Sequence, residues 1–276
     1  MPATHLVFPI LDRPAASTTR EGVRRVVTAV LEACDGAPLL AFHLSDSHLH
    51  VLVALDRVAA GRLARKLRLK LHSVLGPSVT GTNHTAIRDA AHLANTFEYV
   101  LRNDEKHGVA PDPWRENGAL PDLLGLRVLP STLIREVRRT LPRIHGADLR
   151  AMAGWPEIAP SEAPASAAAA LTAALAVLAL PDLSGRSPAV LIARRAVAGL
   201  LAEGAPRSAA AALKCSADTA RRLASSPVPP EVLRSIKLHL SLQAAVPLPP
   251  ASPYPLQGSP TPWAARARFT LGARRT

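Results

Sequence analysis

The chain has 276 residues, of which 48% are hydrophobic, and it has a formal net charge of +12 and a pI near 11.0. This length and apolar content allow two folded domains, and the excess of basic residues is typical of proteins that bind nucleic acid. The cysteines, Cys34 and Cys215, are too few and too far apart for a disulfide framework or a cysteine zinc ribbon.

Neither a signal peptide nor a membrane span is expected. No basic run precedes an apolar segment near the first residue. The longest apolar run, residues 166–180, consists of 15 mostly alanine residues, which are too few and too weakly apolar to cross a bilayer. We therefore expect a cytoplasmic protein without a membrane partner.

Strands and helices interleave in the first part of the chain. Hydrophobic periodicity predicts a strand over 5–11, a helix over 19–34, a strand over 38–44, a helix over about 58–75 and a strand over 82–88. A hairpin is predicted to join the second strand to the histidine-bearing strand that follows it. This order predicts an α+β fold in which helices cover one face of an antiparallel sheet.

The strand within residues 41–55, AFHLSDSHLHVLVAL, contains two histidines two residues apart. Since successive strand residues point to opposite faces, His48 and His50 share one face, and apolar residues occupy the other. Two neutral imidazoles on one face can bind a single divalent metal ion. The alternative is a half-exposed strand face with no ligand.

The helix that follows this strand carries the densest group of basic residues in the chain. These residues are Arg62, Arg65, Lys66, Arg68 and Lys70. Leucines at every fourth position from 63 to 75 form the apolar stripe, so the basic residues occupy the remaining faces. They predict either a clamp on a folded DNA hairpin or an ordinary solvated helix face.

A second candidate segment, residues 96–109, reads TFEYVLRNDEKHGV and follows a helical pattern. Tyr99 and Asn103 are four residues apart, so they would lie on one helix face and could address the same point in space. An Asn carbonyl is an acceptable metal ligand, and a Tyr hydroxyl beside a phosphate is a plausible nucleophile. The alternative for Tyr99 is an ordinary half-buried aromatic.

Together, the two segments resemble the REP-associated tyrosine transposases, which are HUH single-strand endonucleases. The family's strand motif is close to P-N-H-V-H-L-L-V, and residues 46–53 read DSHLHVLV. Its helix motif is close to Y-x-x-x-N-P-V-K-H-G, and residues 99–108 read YVLRNDEKHG. The resemblance covers about residues 4–125 and implies an α+β fold of the HUH/ferredoxin-like kind for them. The chain departs from the family motifs at Ser47, where Asn is usual, and at Asp104, where Pro is usual.

The resemblance implies metal-dependent cleavage and rejoining of hairpin-associated DNA without ATP. His48, His50 and Asn103 would hold Mg²⁺ or Mn²⁺ against the scissile phosphate. Tyr99 would attack phosphorus and form a 5′-phosphotyrosine intermediate, which leaves a free 3′-hydroxyl. The implied partner is single-stranded or hairpin DNA, and we expect a monomer or a homodimer.

Two basic residues follow the proposed ligand Asn103 closely. The resemblance implies that Lys106 and His107 contact a phosphate of the DNA. They equally fit a charged helix C-terminus that complements the macrodipole before Gly108.

The C-terminal half contains a second motif. Helices are predicted over 188–203, 207–214, 216–225 and 229–242. Residues 209–223, AAAALKCSADTARRL, resemble helix-turn-helix proteins with the pattern A-x-x-L-G-V-S-x-x-T-V-x-R-x-L. Ser216 would cap the recognition helix, and Arg221 and Arg222 would face duplex DNA. Lys214 stands where Gly is usual, at a position that often needs a left-handed backbone. A generic alanine-rich bundle is the alternative.

These patterns divide the chain into four parts. Residues 1–125 would be the catalytic domain, 126–164 an extension and linker, 165–243 a helix-turn-helix-like DNA-binding domain, and 244–276 a Pro-rich, basic, disordered tail. Three functions remain open. The first is an active endonuclease and transposase. The second is a domesticated DNA-binding regulator with reduced catalysis. The third is an unrelated metal-binding or structural protein whose motifs are coincidental. Ser47 and Asp104 motivate the second.

Overall fold

A computed structural model describes residues 2–11, 19–45, 47–129, 131–155, 166–202 and 206–246. Much of the predicted linker and nearly all of the predicted tail lie outside these residues. Within them, no helix is both long enough and apolar enough to cross a bilayer.

The N-terminal part is built on a four-stranded antiparallel sheet. Its strands are β1 (Thr4–Pro9), β2 (Leu39–Leu44), β3 (His48–Val53) and β4 (Asn83–Ala86), in the order β2-β3-β1-β4. The helices around it are α1 (Arg20–Ala33), α2 (Arg57–Leu75), α3 (Ala90–Leu101), α4 (Asn103–Lys106), α5 (Leu120–Leu123), α6 (Leu133–Thr140) and α7 (Gly146–Met152). The resulting architecture is mixed α/β with a four-stranded antiparallel sheet, which is compatible with the predicted α+β fold.

Local capping sets where the two longest helices of this part begin. Thr19 accepts a hydrogen bond from the backbone N–H of Gly22 at 3.0 Å and so starts α1. Asp56 accepts one from the N–H of Ala59 at 2.8 Å and starts α2. Helix α2 ends at Leu75. The next residue, Gly76, caps it with a φ of 65°, a conformation that favours glycine.

Strand register brings the polar residues of three strands together. His50 of β3 pairs with Val7 of β1 on one side and with His43 of β2 on the other. Directly paired residues of antiparallel strands point to the same face. His43 and His50 therefore share one face of the sheet. His48 lies on the same face, and so does His5, which is two residues before Val7 on β1.

The sheet has helices on both faces. Leu49 and Val51 of β3 point away from the histidines, are fully buried, and share one core with the apolar stripes of α1 and α2. Helix α3 contacts β2 and β3, and its Tyr99 ring meets the His50 ring on the histidine face. The prediction that helices cover one face was therefore wrong for α3. Sequence periodicity shows that a helix is amphipathic but not which face of the sheet it covers.

Part of the predicted extension belongs to the same core as the sheet. Leu133 and Val137 of α6, Leu141 and Leu149 are all buried there. Helix α6 contacts the edge strand β2, and the Thr132 hydroxyl donates a hydrogen bond to the Ala37 carbonyl at 2.7 Å.

The C-terminal part described by the structure is all helical. Its helices are α8 (Ala167–Val177), α9 (Pro188–Ala202), α10 (Pro206–Ala212), α11 (Ala217–Ala224) and α12 (Pro230–Ala245). Its buried core is rich in alanine, which lets helices approach closely. Trp114 and Leu126 of the N-terminal part pack with Leu242 of α12, and His239 Nε2 bonds the Leu126 carbonyl at 3.0 Å. The two parts are therefore joined by packing as well as by the chain.

Candidate functional site

The candidate site lies on the histidine face of β3. The rings of His48 and His50 are 4.4 Å apart between centroids and nearly perpendicular. Both side chains are buried, with 9% and 2% of their surface exposed. Strand alternation alone gives this proximity, because the two residues are separated by one position.

Hydrogen bonds orient both rings. His48 Nδ1 lies 2.9 Å from the Ser47 hydroxyl and 3.1 Å from the Ser45 hydroxyl. His50 Nδ1 lies 2.9 Å from His5 Nε2, and the His5 and His50 rings are stacked. In each histidine Nδ1 is therefore occupied, which leaves Nε2 as the nitrogen that can bind a ligand.

Burial keeps these imidazoles neutral at pH 7. Burial is the main cause that lowers the pKa of His48 to about 4, with a further contribution from neighbouring histidines, His107 first. The pKa of His5 is also about 4, chiefly through burial. That of His50 lies well below its usual value for the same reason. Since only a neutral imidazole can bind a metal, this environment favours metal binding over protonation.

Tyr99 of α3 faces the histidines. Its ring centroid is 5.4 Å from that of His50 and 6.1 Å from that of His5, with edge-on geometry in both cases. Burial raises the pKa of the Tyr99 phenol, so the phenol is protonated at pH 7. The exposed Lys106 holds its Nζ 4.1 Å from the centroid of the Tyr99 ring, where a positive charge would stabilise a developing phenolate.

Asn103 lies at the first position of the short helix α4. The sequence predicted Tyr99 and Asn103 on one continuous helix, but α3 ends at Leu101 and the backbone at Arg102 departs from helical geometry. The Arg102 side chain bridges Glu98 and Glu105 across this break. Only one residue therefore separates the two helices that carry the tyrosine and the asparagine.

The Asn103 side chain is fully buried, and neither its Oδ1 nor its Nδ2 has a hydrogen-bond partner among the described residues. His50 Nε2 is buried and unpaired in the same sense. A buried polar atom without a partner costs about 1–3 kcal/mol, so a bound ligand or a water at these atoms would stabilise the site.

The donor set fits a hard divalent cation held by two imidazole nitrogens and one amide oxygen. Within the described part of the chain, no group of three or more His, Cys, Asp or Glu side chains could hold a metal ion. Any metal at this site would therefore need the Asn103 oxygen, or water, beside His48 and His50. This donor set leaves positions open for a substrate.

Two histidines of the site were not recognised as site residues in the sequence. His5 and His43 come from β1 and β2, and only the strand register brings them to His50. A weak signal existed, because each lies at an alternating position of a predicted strand. The Ser45 hydroxyl, which also bonds His48, gave no signal of its own.

The predicted DNA-binding residues are on the surface but not at the histidine site, except for Lys106. Arg62, Arg65 and Lys66 of α2 are exposed. Arg221 and Arg222 of α11 are exposed as well. Arg221 pairs with Asp218 at 2.7 Å on the same helix.

The turn between α10 and α11 has the features expected from its sequence. Lys214 has a φ of 49°, which is the left-handed conformation that glycine adopts more easily. The Ser216 hydroxyl accepts a hydrogen bond from the N–H of Thr219 at 3.2 Å and caps α11. Helices α10 and α11 contact each other and both pack against α9.

Comparison with known proteins gives little further information. No protein-family model matches the chain, and no curated protein sequence matches it. A solved structure of a REP-associated tyrosine transposase bound to a REP hairpin is similar to the chain at 16% identity and a TM-score of 0.34. The match covers 43% of this chain and 75% of that one. At this TM-score the likeness carries no argument, so the functional interpretation depends on the site.

Proposed function

We propose that this chain is a metal-dependent single-strand DNA endonuclease and transposase of the REP-associated tyrosine type. His48, His50 and Asn103 would hold Mg²⁺ or Mn²⁺, and Tyr99 would be the nucleophile. The substrate would be hairpin-associated DNA, which is cut and rejoined in the cytoplasm by a monomer or homodimer.

One observation carries the proposal. His50 Nε2 and both amide atoms of Asn103 are buried without protein partners, on elements that also carry His48 and Tyr99. Neutral imidazoles and an amide oxygen can hold a divalent cation, and a phenol can act as the nucleophile in phosphoryl transfer. The formal net charge of +12 supports a polyanionic partner.

The residues would act in a fixed order. A bound Mg²⁺ or Mn²⁺ would polarise a phosphoryl oxygen and offset its charge. The Tyr99 oxygen forms a bond to phosphorus while the bond from phosphorus to the 3′-oxygen breaks. The one proton that the phenol releases balances the one that the leaving 3′-oxygen takes up to become a hydroxyl, and the 5′-phosphate stays on Tyr99. Lys106 lies over the phenol ring and stabilises the negative charge during attack. Reversal of the step rejoins the strand.

The test is covalent capture of DNA. Wild-type protein, incubated with a labelled single-stranded hairpin oligonucleotide and Mg²⁺ or Mn²⁺, is expected to give a labelled protein band of raised mass on a denaturing gel. Tyr99→Phe removes only the hydroxyl, so it should lose the band while it keeps DNA affinity within about twofold. His48→Ala and His50→Ala should lose it through the metal, and excess metal should partly restore it. Asn103→Ala should be milder, because water can replace a neutral oxygen ligand.

Two outcomes would contradict parts of the proposal. An adduct with Tyr99→Phe would show that another residue is the nucleophile. If wild-type protein binds hairpins but forms no adduct with any of them in either metal, the domesticated regulator becomes the better function.

We also propose that helices α10 and α11 form a helix-turn-helix unit that binds duplex DNA. The capped start of α11, the left-handed turn at Lys214 and the exposed Arg221 and Arg222 support it. The basic face of α2, with Arg62, Arg65 and Lys66, would contact phosphates of the hairpin.

A further inference from the structure

A buried carboxylate directly follows the proposed metal ligand Asn103. Asp104 is 9% exposed. Its Oδ1 lies 3.0 Å from His43 Nε2, and its Oδ2 lies 2.5 Å from Arg115 Nη1. A carboxylate oxygen accepts hydrogen bonds, so His43 donates from Nε2 and Arg115 from Nη1.

These contacts connect the helix of Asn103 to the strands of the histidine pair. His43 is the direct cross-strand partner of His50. Asn117, whose side chain donates to the Leu44 carbonyl at 2.8 Å, also lies 3.5 Å from Asp104 Oδ2. Asp104 therefore ties α4 to the β2–β3 hairpin through side chains from two directions.

Asn103 has no comparable contacts of its own. Its amide atoms have no hydrogen-bond partner among the described residues. It begins a helix of only four residues, after a break at Arg102. The Asp104 carbonyl also accepts hydrogen bonds from the N–H groups of His107 and Val109, both at 3.0 Å, and so closes the turn after this helix.

We propose that Asp104 is a positioning residue, and that its contacts with His43 and Arg115 hold Asn103 in place against the His48–His50 pair. This inference rests on the proposed metal-binding function of Asn103. It also gives a physical meaning to the departure from the family motif. A proline at this position would restrict the backbone through its ring, whereas this chain restricts it through a buried ion pair.

The test is a double-mutant cycle on Mn²⁺ affinity, measured on the full chain by electron paramagnetic resonance of free Mn²⁺. Asn103→Ala and Asp104→Ala should each lower the affinity by about tenfold. The double variant should also lose about tenfold rather than a hundredfold, because Asp104 acts through Asn103. A general structural effect would multiply the two losses, and a hundredfold loss would overturn the proposal. Asp104→Asn keeps the shape and removes the charge, so the same cycle applies if the alanine variant does not fold.

Glu105→Ala is the matched control. Glu105 is the next acidic residue on the same helix, but it pairs with Arg102 at the surface. Its removal should change the Mn²⁺ affinity by less than about twofold. An equal loss from Glu105→Ala and Asp104→Ala would mean that acidic charge matters rather than the contacts of Asp104.

Hydrogen exchange of the metal-free chain separates this inference from the proposed function. Asp104→Ala should speed exchange of the backbone amides of His107 and Val109, which bond the Asp104 carbonyl, because loss of the side-chain contacts frees the short helix α4 to open. The amides of α12 should be unchanged, and unchanged exchange at His107 and Val109 would overturn the positioning role. Absence of Mn²⁺ binding by the wild-type chain would instead overturn the proposed metal site.

Discussion

The pH dependence of metal binding tests the electrostatics of the site directly. Protons compete with metal for each imidazole, and the neutral fraction depends on the pKa. With a pKa of about 4, His48 is ~97% neutral at pH 5.5, whereas an ordinary histidine with a pKa of about 6.5 is only ~9% neutral. The pKa of His50 is lowered in the same direction. His48 is thus mostly neutral, and able to bind metal, above about pH 5, and it loses this ability as the pH falls through about 4.

The expected result is a flat profile. Mn²⁺ affinity, measured by electron paramagnetic resonance in non-chelating buffers, should change by less than about twofold between pH 7.5 and 5.5. Two histidines with ordinary pKa values would instead lose about a hundredfold over the same interval. A loss of that size in a folded protein would refute the claim that burial keeps the pair neutral.

The fold must survive this interval for the result to count. Because the folded pKa values of His5 and His48 lie below the unfolded value, the unfolded state binds more protons and stability decreases as the pH falls below about 6.5. From pH 7.5 to 5.5 the decrease is roughly 1 kcal/mol for each residue. Circular dichroism should confirm that the chain stays folded. His107→Ala should shift the profile only slightly, because burial is the larger cause.

Two further predictions concern the C-terminal helices. Arg221→Ala with Arg222→Ala should weaken duplex binding and reduce the slope of log affinity against log salt by up to about two, since each lost phosphate contact removes about one. Fluorescence anisotropy at several salt concentrations measures this slope. The same double change at Arg234 and Lys237, exposed on α12, is the control, and an equal effect there would contradict the helix-turn-helix interpretation. Lys214→Gly should raise the free energy of unfolding by up to about 1 kcal/mol, because the residue has a φ of 49°. Urea unfolding measures this change. Alanine keeps the Cβ atom, so a Lys214→Ala variant as stable as Lys214→Gly would exclude backbone strain as the cause.

Local patterns in the sequence account for the elements and for the nearest neighbours in the site. Strand alternation is sufficient to put His48 and His50 on one face, and the apolar stripe at 63–75 is sufficient to predict α2. The turn before α11 was predicted in the same way, from a serine cap and from a position that favours a left-handed backbone. In each case the physical cause lies within a few residues.

The rest of the site depends on contacts between distant residues, which no local pattern reports. His5 bonds His50 across 45 positions, and His43 bonds Asp104 across 61. The first contact requires the register between β1 and β3, and the second requires α4 to lie beside β2. The sequence showed Asp104 only as a departure from a motif. The structure shows it as a buried charge with two partners.

The energetics of the buried polar atoms bear on the choice between an active enzyme and a domesticated binder. The unpaired His50 Nε2 and the two amide atoms of Asn103 each cost about 1–3 kcal/mol unless a ligand satisfies them. A DNA-binding protein that no longer used the site would be more stable with apolar residues of similar size at these positions, because nothing would then need a partner. The same reasoning applies to the departures from the family motif, since Ser47 bonds His48 and Asp104 bonds His43. Each difference keeps an oriented polar contact at the site, which the proposed enzyme would need and a regulator that no longer used the site would not.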